Sequence, residues 1–314
     1  MPLRMIWPKL KMRFLRSKKI VAVHSGNFHP DDVFATAALS ILLDGKIEIL
    51  RTRDEGELAK ADYVADVGHI YDPAINRFDH HQEGGAGFRN EQISYSAFGL
   101  VWKTYGEKIC GSKQIAKMID ENLVAAIDAD DDGLDVCQKS LPGVKPFMLV
   151  DVIYSMRPTW KEDGLNIDQV FLKAVAFARE VLLREIKIAK DEIEAEGLMA
   201  EVYKKAEDKR IIILDRQYLP SKLLQKYSEP LFTIYENRDK KMWRVGTIDK
   251  SENTYVPRKN FPESWWGKKG EDFARVSGVE DAIFCRNKGI FLGVKTKEGA
   301  LKLANIALNQ NNNK

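Results

Sequence analysis

Residues 21–43, VAVHSGNFHPDDVFATAALSILL, begin as an apolar strand and end as an apolar helix that Gly45 closes. The turn between them holds His24, His29, Asp31 and Asp32 within nine residues, where a fold needs only a glycine and a cap. Working outward, KIEILRTR (46–53) and ADYVADVG (61–68) read as further strands and 114–127 as a helix. Near-continuous apolar strands alternating with helices predict an α/β fold with a doubly wound, mainly parallel sheet. Sites in such sheets lie at the carboxyl ends of the strands, which is where this turn falls.

The style changes after a helix-periodic stretch at 166–207, read as a connector. Beyond it RIIILD, PLFTIYEN, KMWRVGTI, DAIFCR and GIFLGV read as strands and KEGALKLANIAL as a final helix, predicting a smaller α+β domain over 208–314. The first domain spans 20–165. Residues 1–19 carry seven Lys/Arg and no acid, and read as a basic, poorly ordered leader. With 44% hydrophobic and 30% charged residues and a net charge of +3, the 314-residue chain has an ordinary globular composition. No apolar run approaches the roughly 20 residues of a membrane helix. Three separated cysteines exclude a disulfide framework and a thiolate zinc site. A secreted protein is not expected; the cytoplasm of a bacterium, or the mitochondrion or nucleus of a eukaryote, is.

All five histidines lie between positions 24 and 81. They fall in HSGNFHPDD (24–32), ADVGHIYDP (65–73) and RFDHHQ (77–82). Carboxylates gathered at one sheet edge repel one another unless a cation compensates. Imidazole and carboxylate without sulfur suit manganese, iron, cobalt or zinc, and two ions bridged by one carboxylate make a clamp for phosphoryl chemistry. Blander roles compete at single positions. Asp31 or Asp32 can cap the helix, Asp72 before Pro73 reads as a turn residue, and His69 can simply be exposed. The doublet His80-His81 is harder to assign to a scaffold, because adjacent side chains point apart.

DHH at 79–81, downstream of the strand-end His/Asp motif and of Asp66, resembles the DHH phosphoesterase superfamily. HSGNFHPDDVFA, RTRD, ADVGHIYDPAINRFDHHQ, VAAIDADDDG, RPTW, SGVEDAIF and KTKEGAL occur in the order found in the MYG family (melanocyte proliferating gene), a DHH-type exonuclease family. The resemblance implies two divalent metal ions, manganese expected first. His24 and His29 would hold one, Asp31 and His80 the other, and Asp66 would bridge them. Asp128 would be the last ligand, with Asp131 as competitor in the aspartate run. Asp79 would orient a histidine from behind, and His81 would face the substrate phosphate. Asp66, Asp79, His80 and His81 are thus the candidate catalytic residues, with water activated by the metals as nucleophile.

Many members have Gly-Gly-His-His before the T-x-E-G-A segment; here Val294 and Lys295 stand at the histidine positions, and Lys295 can still meet a phosphate as a point charge. The loop YVPRKNFPESWWGKKG (255–270) offers Arg258 and aromatics for bases, or else its tryptophans cap a core. Arg157 in RPTW can reach a phosphate or pair with an acid. The expected activity is 3′–5′ exonuclease hydrolysis of RNA or short oligonucleotides. The rivals are a small-molecule phosphatase or pyrophosphatase on the same centre and a non-catalytic nucleic-acid-binding module. A homodimer is compatible with the sequence.

Overall fold

The first strand forms where the sequence places its apolar β-branched run. β1 (Lys19–Val23) leads through the histidine turn into α1 (Pro30–Leu42), then β2 (Ile47–Arg51), the short α2 (Glu55–Leu58), β3 (Tyr63–Ala65), β4 (Tyr71–Asp72) and β5 (Arg77–Phe78). In this computed structural model the described residues are 18–137, 141–162, 164–216, 218, 222–237, 239, 241–251 and 256–310. The basic leader, apart from Lys18 and Lys19, lies outside them.

The strands assemble in the order β2-β1-β3-β5-β4. β2, β1, β3 and β5 run parallel, and the edge strand β4 is antiparallel to β5. α1 is buried from Pro30 to Ser40, its apolar run at 33–39 together with Asp31, Asp32, Thr36 and Ser40. Burying Val33, Phe34 and Leu39 contributes roughly 1.5–3 kcal/mol each. Against α1 packs α3 (Ala97–Cys110), with the Phe34 and Phe98 rings 5.4 Å apart. Ser96 caps α3 at its start and Gly111 ends it in the left-handed conformation.

Where the sequence predicts one helix over 114–127, the chain forms α4 (Lys113–Ile119), a π-helical turn (Asp120–Val124) and α5 (Ala125–Asp131). Next come α6 (Leu149–Ser155) and then α7 (Ile167–Lys205), one continuous helix. The chain divides into two compact units, 1–189 and 190–314, with the division inside α7.

The second unit holds β6 (Ile211–Ile213), α8 (Lys222–Gln225), β7 (Phe232–Asn237), β8 (Met242–Thr247), α9 (Gly270–Ser277), β9 (Ala282–Cys285), β10 (Phe291–Val294) and α10 (Lys297–Asn309). Its sheet runs β6-β7-β8-β10-β9, parallel only between β6 and β7. Ile234, Val245, Leu292 and Val294 pack on one face with Phe261, Trp265, Phe273 and Leu303. On the other face Ile212 and Tyr235 join Met199, Leu224 and Ile248. The chain is therefore a mixed α/β protein with two five-stranded sheets, the second mainly antiparallel.

Candidate metal centre

Because β1, β3 and β5 are parallel neighbours, the residues just beyond their carboxyl ends share one sheet edge. Those residues are His24, Asp66 and the run Asp79-His80-His81. α1 starts at the same edge, with His29 as N-cap and Pro30 in its first turn. The His29 N–H donates to Asp32 Oδ1 at 2.9 Å, so Asp32 rather than Asp31 does the capping. Its other oxygen stands 3.0 Å from His24 Nε2. Both oxygens of Asp31, 1% exposed, have no hydrogen-bond partner.

Asp66 occupies the centre. Its φ of +58° is left-handed, a conformation that Asp tolerates better than most residues and that turns its carboxylate back over the strand ends. Oδ2 lies 3.2 Å from His24 Nε2, while Oδ1 lies 3.1 Å from His80 Nε2 and 3.5 Å from His81 Nδ1. The two oxygens thus face two different groups. His24, His29 and Asp66 each offer a ligand atom within 4.8 Å of the others, and so do Asp31, His80 and Asp131.

Asp79 holds the histidine doublet from behind. Its Oδ1 accepts the His80 N–H at 2.8 Å and the His81 N–H at 3.2 Å, and stands 2.7 Å from His81 Nδ1. Its Oδ2 accepts the His69 N–H. With Nδ1 so engaged, the half-exposed His81 is left with Nε2 for other partners. His24 Nδ1 likewise lies 3.1 Å from the Ser25 carbonyl, which leaves Nε2 to face the acids. His69 stays exposed outside both groups, and Asp72 caps a turn by accepting the Ala74 N–H.

The electrostatics match the crowding. Burial, then the charges of Asp66, Asp131 and Asp32, push Asp31 well above the carboxylate range, and burial pushes Asp131 to about 6. Burial opposes ionisation of Asp66 too, but the adjacent imidazoles of His24 and His80 outweigh it and hold the carboxyl low. Burial likewise disfavours the His24 cation, yet Asp32 and Asp66 raise its pKa to about 10. His80 is raised against burial by Asp66 and Asp131. His29 is lowered by burial and by the Arg157 charge. His24 Nε2, Asp32 Oδ2 and both Asp31 oxygens are buried without properly angled hydrogen bonds. Such a set of orphaned imidazole and carboxylate atoms suits a divalent transition metal, and these clusters can hold metal ions.

The aspartate run divides its tasks. Asp128, the expected last ligand, is fully buried elsewhere. Its Oδ2 accepts Arg89 Nε and Nη2 at 2.9 and 2.7 Å, its Oδ1 accepts Ser96 Oγ at 2.6 Å, and Gly99 makes room beside it. Asp130 accepts the Tyr154 hydroxyl and Asp132 accepts the Ser94 N–H. Asp131 is the one whose Oδ2 comes within 3.5 Å of His80 Nε2. An extra residue in a helix rotates every later side chain by about 100°, so the π-helical turn before α5 helps decide which aspartate faces the centre.

Of the expected substrate contacts, Arg157 lies with Cζ 4.5 Å from the Tyr154 ring centroid and 5.8 Å from that of Phe28, and its Nε and Nη2 have no partner. Arg258 is spent on structure, donating to the carbonyls of Tyr227, Pro230 and Gln225, which corrects its reading as a phosphate contact. Trp265 and Phe261 are core residues, and the Trp266 indole donates to the Phe261 carbonyl, so this loop does not present them to bases. Tyr255 lies outside the described residues. Lys295 is exposed just past β10, with no ion pair among the described residues, and Val294 is buried.

Comparison with known proteins places the chain. The MYG1 exonuclease family model, described as an uncharacterised protein family (UPF0160), matches residues 20–308, and the chain belongs to that family. A human MYG1 exonuclease is 28% identical over 96% of this chain and 89% of its own length. A MYG1 protein of Schizosaccharomyces pombe is 29% identical over 92% and 97%, and one of Dictyostelium discoideum 27% over 92% and 96%. No solved structure matches the chain. Among the described residues no helix is long and apolar enough to cross a membrane.

Proposed function

We propose that this member of the MYG1 exonuclease family is a metal-dependent phosphodiesterase that removes nucleotides from the 3′ end of RNA or short oligonucleotides. The single observation that carries the reading is Asp66, whose two oxygens face two separate sets of imidazole and carboxylate groups. Relatives named MYG1 exonuclease, similar over nearly their whole length, point to the same chemistry. His24, His29 and Asp66 would hold one divalent ion and Asp31, His80, Asp131 and Asp66 a second, with manganese expected first. When bound, such ions lower the pKa of water and neutralise charge on a phosphate.

The chain's own groups supply the rest. Asp79 fixes the ring orientation of His81. The same hydrogen bond raises the His81 pKa, so that its half-exposed ring can carry a proton to the leaving oxygen as the P–O bond breaks. The unpartnered Nε and Nη2 of Arg157 suit two oxygens of a phosphate, and the Phe28 and Tyr154 rings hold the guanidinium. Lys295 adds a point charge for a phosphate in the second unit.

The test is incubation with Mn²⁺ and end-labelled RNA, DNA and dinucleotides. The reading requires a ladder that shortens one nucleotide at a time from the 3′ end, lost in Asp66→Asn while the fold is kept. Turnover of pyrophosphate or mononucleotides with intact oligonucleotides would refute it in favour of a small-molecule phosphatase.

A further inference from the structure

The outer half of the second sheet carries a feature that the metal centre does not use. Across the strands, Arg244 of β8 pairs with Gly293 of β10, Gly293 with Phe284 of β9, and Phe284 with Lys269 in the segment before α9. Residues opposite one another in a sheet point to the same face, so these four form one row. Gly293 leaves a gap in it. A Cβ there would come within 2.5 Å of Phe284 Cε1, so the absence of a side chain is what lets the Phe284 ring lie over the strand. Phe291, two residues before Gly293, stands on the same face, with its ring edge-to-face to Phe284 at 5.9 Å. The guanidinium carbons of Arg244 and Arg286 lie 5.2 and 5.8 Å from its centroid.

At the β6–β7 end this face is covered by the cluster around Met199, Leu224 and Tyr235. At the β8–β10–β9 end it opens into a groove of about 890 Å³, near the top of the roughly 300–1,000 Å³ range of ligand sites. Arg244, Lys269, Arg286 and Lys288 line the groove, no acidic side chain does, and none of the four has an ion pair among the described residues. The Arg244 Nε is buried without a hydrogen-bond partner. Four cations without ion pairs among the described residues, around two partly buried aromatic rings on a sheet face, complement one class of ligand. Phosphates meet the cations while bases stack on phenylalanine and guanidinium planes.

We infer that this groove is a binding site for single-stranded nucleic acid. Gly267 and Lys269, at the end of the tryptophan loop, belong to its lining, but neither tryptophan, nor Arg258, Val294 or Lys295 does. The inference rests on the exonuclease reading for the class of polymer alone, and it is tested without turnover.

The full-length protein in EDTA is titrated into fluorescein-labelled single-stranded oligouridylate of about 12 nucleotides, with anisotropy as readout. Phe291→Ala should weaken binding by about fivefold or more, the loss of one stacked base. The exposed pair Arg286→Ala/Lys288→Ala cannot disturb the core, and should lower the slope of log K against log salt by about 1.4, or about 0.7 per phosphate contact. Wild-type affinity and salt slope in both variants, or equal binding of a blunt duplex by the wild type, overturns the site. Hydrolysis data do not enter, so failure of the exonuclease reading and failure of this site are separately visible.

Discussion

Metal uptake should expel protons, and the number can be worked from His24. The ring is buried between Asp32 and Asp66, which raise its pKa to about 10 from the imidazole's ordinary value near 6.5. A raised pKa means that His24 keeps its proton through neutral pH and loses it only as pH climbs toward 10. A divalent ion takes only the neutral ring, so binding at Nε2 must displace that proton. At pH 7 about one ring in a thousand is neutral, a cost of about 4 kcal/mol, and the apparent association constant should rise about tenfold per pH unit from pH 7 to 9. Asp31, whose pKa burial raises well above the carboxylate range, adds to the release if it ligates. Calorimetric titration with MnCl₂ in two buffers of different ionisation heat counts the protons. At least one per chain is expected at pH 7. Less than about half a proton, or affinity flat between pH 7 and 9, would refute the reasoning. The metal-free protein should show the matching trend in stability. The contribution of His24 is fully present below about pH 6.5 and fades as pH rises toward 10.

Asp131→Asn should lower manganese stoichiometry from two to one with little change in Tm, whereas Asp128→Asn should keep both ions and destabilise the fold by about 1–3 kcal/mol, since it removes one of the two carboxylates, Asp128 and Asp120, that hold the partly buried Arg89; metal analysis and urea melts separate them. Gly99→Ala would place a Cβ 2.3 Å from Asp128 Oδ2, and should cost about 1–3 kcal/mol in the same melts. Arg258→Lys loses part of a three-carbonyl clamp and should lower Tm without changing dinucleotide turnover.

Periodicity and strand-end position made much of the fold and the location of the candidate centre legible. His24, Asp66 and the 79–81 run each come directly after an apolar strand, and parallel pairing of those strands is enough to bring them to one edge. The choice among aspartates was not legible, because it depends on a π-helical turn that no residue pattern announces. Nor was the division of labour in the first turn of α1. Asp32 both caps His29 and faces His24, and local spacing cannot show a contact across the strand end. Arg258 misled because a charge beside aromatics reads as a nucleic-acid contact, whereas the chain uses it to satisfy part-buried carbonyls. Arg244 and Phe291, by contrast, sit in strands whose outward face is known only once the register with β10 is fixed.

The most direct test of the two-ion centre is anomalous scattering from crystals grown with manganese. The account predicts two peaks per chain, both in contact with Asp66 through different oxygens, one also touching His24 and His29 and the other Asp31, His80 and Asp131. A single peak, or two that leave Asp66 untouched, would contradict it.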